Sequence, residues 1–192
     1  EAADDLARLD ADRVWIIDPL DGTTQFATGQ PDYAVHVALW ERAAAQPGGI
    51  SAAAVYLPHF KVMLSMDDEV ELDQVNRDTI RVLVSRTRPP SDLPEFAARL
   101  ERALGRTVEA YPFGSVGAKV AQIINGAADI YLSTGSFAEW DVAAPLGVAE
   151  HYGLAVRSLR GEELRFNQPS TVIPGAVVAR PEFVEAVIDC LA

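Results

Sequence analysis

The amino-acid sequence predicts a layered α/β domain. Apolar–polar alternation of strand period recurs along the chain, amphipathic runs of helical period interrupt it, and the two alternate through the second half, the order that builds sheets covered by helices. At 192 residues the chain is long enough for one well-buried domain and short for two. Residues 1–192 are therefore expected to form a single unit.

Residues 13–17 read as a strand running into the turn Asp18-Pro19-Leu20-Asp21-Gly22. Residues 33–40 alternate, with Tyr33, Val35, Val37 and Leu39 on one face. Gln46-Pro47-Gly48-Gly49 reads as a hairpin-type loop. Residues 51–57 and 61–66 read as strands about the turn Pro58-His59-Phe60, 67–78 as a polar surface loop, and 80–85 as a further strand. An amphipathic helix over 92–104 stops at Gly105, and 107–111 is a short strand. Residues 115–125 form a helix whose apolar stripe is Val116, Val120, Ile123 and Ile124. A strand over 129–133 precedes a helix over 141–152 that Gly153 caps. Strands over 155–158 and 176–179 lead to a final helix over 181–191, with Pro181 in its first turn.

Composition narrows the function. Apolar residues make up 49% and charged residues 23% of the chain, so disorder is not its main state. The longest apolar runs are too short to cross a bilayer, and the acidic start (Glu1, Asp4, Asp5) does not resemble a secretory signal. Cys190 is the one cysteine, which excludes a disulfide framework and a Cys-based zinc site and makes a reducing cytoplasm the expected compartment. A net charge of −12 repels nucleic-acid backbones, so polymeric DNA or RNA is not an expected partner. A small phosphorylated metabolite needs local cations or metal ions to overcome the same field.

Four segments carry chemistry. In Asp18-Pro19-Leu20-Asp21-Gly22-Thr23, behind an apolar strand, two carboxylates three residues apart on a tight turn can converge on one point, and hard oxygen ligands suit magnesium. Asp-Pro and Asp-Gly are also ordinary turn dipeptides. Asp141, within Trp140-Asp141-Val142-Ala143-Ala144-Pro145, falls at a helix N-cap position and is a candidate third carboxylate. Three carboxylates can hold two divalent cations, an arrangement suited to phosphoryl transfer to water. Gly114-Ser115-Val116-Gly117-Ala118-Lys119 reads as a Gly-rich helix start presenting free N–H groups to an anion, with Ser115 and Lys119 on one face. Ser85-Arg86-Thr87-Arg88 is a basic cluster at a strand end.

The Asp18 and Asp141 motifs together resemble the inositol monophosphatase-like superfamily of metal-dependent, lithium-sensitive phosphatases. The wider match, over 14–40 and 114–144, is most similar to the 3'(2'),5'-bisphosphate nucleotidases of the CysQ type. Their Ser-Arg-Ser-His corresponds to 85–88, with Thr87 and Arg88 as departures. The resemblance implies a layered α-β-α-β-α sugar-phosphatase-like fold, of which this sequence is expected to be the C-terminal two-thirds with the first helical layer missing. It implies two or three Mg2+ ions held by Asp18, the Leu20 carbonyl, Asp21 and Asp141, with Glu1 standing at a Glu-Glu pair that supplies a further ligand. It implies that Gly22 and Thr23 contact the scissile phosphate, that the Thr23 hydroxyl orients the attacking water, and that Ser115, Lys119 and Arg88 bind the rest of a nucleotide. The expected reaction is hydrolysis of 3'-phosphoadenosine 5'-phosphate, or of the corresponding phosphosulfate, in sulfur assimilation. Inositol monophosphate or fructose 1,6-bisphosphate hydrolysis on the same site is the near alternative, and a non-catalytic phosphometabolite-binding or regulatory module the distant one. A homodimer stays open, and the 192-residue piece is expected to be weakly active with an apolar surface exposed.

Overall fold

Two sheets and two helical layers stack in the order sheet, helices, sheet, helices. The computed structural model describes residues 5–43, 48–69, 72 and 78–191. Glu1, Gln46, Pro47 and most of the expected loop over 67–78 lie outside the described residues.

The first sheet is an antiparallel meander of β1 (Arg13–Asp21), β2 (Ala34–Glu41), β3 (Gly49–Leu57) and β4 (Val62–Ser65), in that spatial order. β1 extends four residues beyond the expected strand because its pairing with β2 resumes after an irregularity between Asp18 and Asp21. Pro19 has no N–H to give the ladder, so the strand bulges there rather than ending. A short helix, α1 (Thr23–Ala27), follows where the sequence pointed only to a turn.

The second sheet runs β6-β5-β7-β11-β9. β5 (Thr79–Ser85) lies parallel to both β6 (Thr107–Phe113) and β7 (Ile130–Ser133). β11 (Ala176–Ala179) is antiparallel to β7 and to β9 (Ala155–Arg157). A two-stranded ladder of β8 (Phe137–Ala138) and β10 (Val172–Ile173) stands apart. The remaining helices are α2 (Leu93–Leu104), α3 (Val116–Ile124), α4 (Glu139–His151) and α5 (Pro181–Leu191). No helix among the described residues is long and apolar enough to cross a membrane.

α3 and α4 fill the space between the sheets. One core cluster joins Ala38, Trp40 and Val55 of the first sheet to Val120 and Ile123 of α3, Val142 and Leu146 of α4, and Tyr131 and Val178 of the second sheet. A second cluster, on the other face of that sheet, joins Ile80, Val82 and Val177 to Phe96 and Leu100 of α2 and Val184 and Val187 of α5. The alternation of sheet and helix layers is that of the expected layered α/β fold.

The alternation of β2 is as expected, but its more buried face is the other one: Ala34, His36, Ala38 and Trp40 are buried, while Val35, Val37 and Leu39 are half-buried. Ala34 and Ala38 on the inward face let a helix pack close against it. A Cβ on Gly117 of α3 would stand 2.5 Å from His36 Nε2 and 2.7 Å from Val55 Cγ1. Gly117→Ala is therefore expected to overpack this layer and destabilise by ~1–3 kcal/mol, read as a lower Tm in thermal unfolding. An unchanged Tm would show that the layer yields. Opposite the buried face of β1, Trp15 and Ile17 stand exposed, as does Met63 of β4.

Candidate active site

β1 delivers Asp18 and Asp21 from one bulged stretch. Asp18 is buried, and its Oδ1 accepts the Leu20 N–H at 2.9 Å, which folds the bulge back on itself. Gly22 completes the turn with φ 87° and ψ 41°, left-handed values that favour glycine, and so directs Thr23 into α1.

Helix α4 supplies the third carboxylate. The helix starts at Glu139, so Asp141 is its third residue and not its N-cap. Burial between the sheets extends the helix forward by two residues relative to the sequence reading. The Asp141 Oδ2 still serves the helix end, accepting the Ala138 N–H at 3.0 Å.

The start of α3 differs from its expected role. Ser115 Oγ accepts the Ala118 N–H at 2.9 Å and caps the helix. Asp21 Oδ2 accepts the Val116 N–H at 2.6 Å and reaches the Gly117 N–H at 3.4 Å. Asp32 takes the Gly114 N–H through its carboxylate and the Ser115 N–H through its carbonyl. The amides expected to be free for an anion are thus already bonded, with Asp21 answering the positive end of the helix. Lys119 is buried, its ammonium bonded to the Gly114 carbonyl and 4.8 Å from the centre of the Tyr131 ring.

These parts meet in one cavity of about 270 Å³. Asp18, Leu20, Asp21, Gly22, Thr23, Arg88, Ser115, Lys119 and Asp141 all line it. Among the site residues expected from sequence, Glu1 alone lies outside the described residues. Ser133, the last residue of β7, and Ser136 and Phe137 beyond it also line the cavity and were not anticipated. Their signal was a strand end followed by small polar residues, which an ordinary loop shares. His36 was missed because it occupies a strand interior. It is fully buried, and its Nε2 lies 3.5 Å from Asp21 Oδ2.

The electrostatics are those of crowded acids. Burial, with the charges of Asp21 and Asp18 adding, pushes the Asp141 carboxyl up to about 6. Burial raises Asp18 and Asp21 as well, with the Leu20 amide opposing at Asp18 and the Lys119 charge opposing at Asp21. Burial lowers the Lys119 ammonium to about 8 and His36 to about 4. The charge of Arg88 is felt at Asp141, which it lowers.

The donor set fits a hard divalent cation: clustered carboxylates whose mutual repulsion a cation relieves, beside the Leu20 peptide. Among the described residues no three His, Cys, Asp or Glu side chains are drawn together closely enough to enclose an ion by themselves. Magnesium is commonly held through one or two carboxylates, keeps several waters and takes substrate phosphate oxygens as ligands.

Comparison with known proteins finds a family model, similar sequences and similar folds. The inositol monophosphatase family model matches residues 1–190. A 3'-phosphoadenosine 5'-phosphate phosphatase of Mycobacterium bovis is 41% identical over 196 aligned positions, spanning 100% of this chain and 71% of the relative. The solved structure of CysQ from Bacteroides thetaiotaomicron superposes with a TM-score of 0.78 at 25% identity, over 94% of this chain and 74% of that one. Inositol monophosphatase-II from Staphylococcus aureus superposes with a TM-score of 0.74 at 18% identity, over 98% and 73%.

Proposed function

We propose that this chain, which belongs to the inositol monophosphatase family, is a magnesium-dependent phosphatase that hydrolyses 3'-phosphoadenosine 5'-phosphate, or the corresponding phosphosulfate, to AMP, or adenylyl sulfate, and phosphate. One observation carries the reading: a wall of three carboxylates and the cationic or donor residues Arg88, Lys119 and Ser115 share a single cavity. The name of the mycobacterial relative supports the same substrate.

Asp18, Asp21, Asp141 and the Leu20 carbonyl would hold the metal. When bound, magnesium supplies Lewis-acid activation of water and neutralises charge on the phosphate and the leaving oxygen. Gly22 and Thr23 hold the phosphate that is cleaved, and the Thr23 hydroxyl orients the water that attacks phosphorus. That attack forms one P–O bond and breaks the bond to the 3'-oxygen, which leaves as the ribose hydroxyl. The Ser115 hydroxyl already accepts the Ala118 N–H, so its own proton is left to donate to the nucleotide. Lys119 contributes positive charge from the cavity wall, and Arg88 binds the second phosphate as a fork.

A substrate comparison tests this. The expected kcat/KM in the full-length protein is higher for 3'-phosphoadenosine 5'-phosphate than for inositol 1-phosphate. Arg88→Ala and Lys119→Ala are each expected to cut that preference by roughly ten- to hundredfold, the loss of a charge-assisted contact of about 1.5–3 kcal/mol. A preference for inositol 1-phosphate, or a ratio that both variants leave intact, overturns the nucleotidase reading.

A further inference from the structure

Asp32, just before β2, is 1% exposed and has no part in the site as read from sequence. Its carboxylate is fully engaged. Arg86 Nη1 donates to Oδ1 at 3.2 Å, Arg86 Nη2 lies 2.7 Å from Oδ2, and the Gly114 N–H donates to Oδ2 at 2.6 Å. The Asp32 carbonyl accepts the Ser115 N–H at 3.0 Å. A buried carboxylate gripping a guanidinium fork and an amide is a rigid joint, since release of either partner strands a buried charge.

The joint connects two segments of the second sheet to the first. Arg86 sits two residues before Arg88, and Gly114 and Ser115 open the helix that carries Lys119. The Arg86 N–H also donates to the Phe113 carbonyl at 3.1 Å, so both segments are held on one side of the cavity. The two arginines are divided by this arrangement. Arg86 is spent on Asp32, whereas Arg88 lines the cavity.

We propose that Asp32, acting through Arg86 and Gly114, is a positioning residue that sets the spacing between Arg88 and the Ser115–Lys119 side of the cavity, and thereby the selectivity for a substrate bearing a second phosphate. The identity of that substrate rests on the reading above; the joint itself does not.

The test uses Asp32→Asn and Arg86→Gln in the full-length protein, with two readouts. In kinetics, both variants are expected to raise KM for 3'-phosphoadenosine 5'-phosphate by about tenfold or more through misplacement of its second contact, with kcat and the turnover of p-nitrophenyl phosphate little changed. The double variant is expected to be no worse than the worse single, because the two residues act as one unit. An unaltered KM overturns the proposal, as does a loss on both esters that tracks a falling Tm. The second readout is amide hydrogen exchange over 85–88 and 113–119. Faster exchange in both segments, in both variants, supports the joint, and faster exchange in one or neither overturns it. If the wild-type protein shows no preference for the bisphosphate, the substrate reading fails and exchange alone decides the joint. If Asp32→Asn fails to fold, Arg86→Gln, at a half-exposed side chain, carries both readouts.

Discussion

Asp18→Asn is expected to lower phosphate release at saturating magnesium by about a thousandfold or more, the scale seen when one member of a catalytic unit is removed. Asp18 is buried on the bulge that begins the site, beside Asp21 and Asp141. Its Oδ1 accepts the Leu20 N–H, a bond that an amide oxygen reproduces. The substitution therefore removes a charge from the cavity while keeping the turn that presents Leu20, Asp21 and Gly22. Circular dichroism and Tm are expected to stay close to wild type. Turnover within tenfold of wild type would show that Asp18 only braces the turn.

Asp141→Asn separates stability from activity. Activity falls by about a hundredfold or more for the same reason. Stability in chelator rises, because at pH 7 the native protein confines three carboxylates in one cavity and the variant confines two. The Asn oxygen keeps the hydrogen bond from the Ala138 N–H. The sign follows from the direction of the shift. The Asp141 carboxyl is raised from 3.8 to about 6 in the folded protein, so the native state holds a proton there that the unfolded chain has lost. Its contribution to stability is full below about pH 4 and disappears as pH rises through 6. Converted in full the shift is about 3 kcal/mol; solvent screening at this part-exposed carboxyl reduces the variant's expected gain at pH 7 to about 1 kcal/mol, a few degrees in Tm for a chain of this size, and the gain vanishes near pH 4. A lower Tm at pH 7 would mean that Asp141 acts mainly as a helix brace.

Much of the architecture was legible because local signals and tertiary packing agree. α5 and β11 fall on their expected bounds, and α2 and α3 fall within a residue of theirs, since capping residues, apolar periodicity and the glycine after α2 all favour the same elements. The sequence was less legible where packing overrides a local signal. Asp-Pro in β1 reads as a turn, yet pairing with β2 carries the strand through it. The half-buried valines of β2 outweigh Ala, His and Trp by hydropathy, but the helices between the sheets pack against the face that carries Ala34 and Ala38. The site shows the same division. The carboxylates could be found from motif spacing, because the turn and the helix that hold them are local. That the α3 amides are taken by Asp21 and Asp32 could not be found so, because those partners lie 82 to 96 positions away in the chain. Asp32 and His36 sit in ordinary-looking sequence; the meeting of the two sheets gives Asp32 its partners Arg86 and Gly114, and His36 comes beside Asp21 within the first sheet.

The central claim, that a carboxylate cavity uses a divalent cation to release phosphate, is tested most directly by a magnesium titration. Phosphate release from 3'-phosphoadenosine 5'-phosphate is measured in chelator-treated full-length protein as Mg2+ is added, with Asp18→Asn alongside. No release is expected in chelator, with a saturable recovery as Mg2+ is added and no recovery in the variant. Release that persists in chelator, or equal recovery in Asp18→Asn, would contradict that claim.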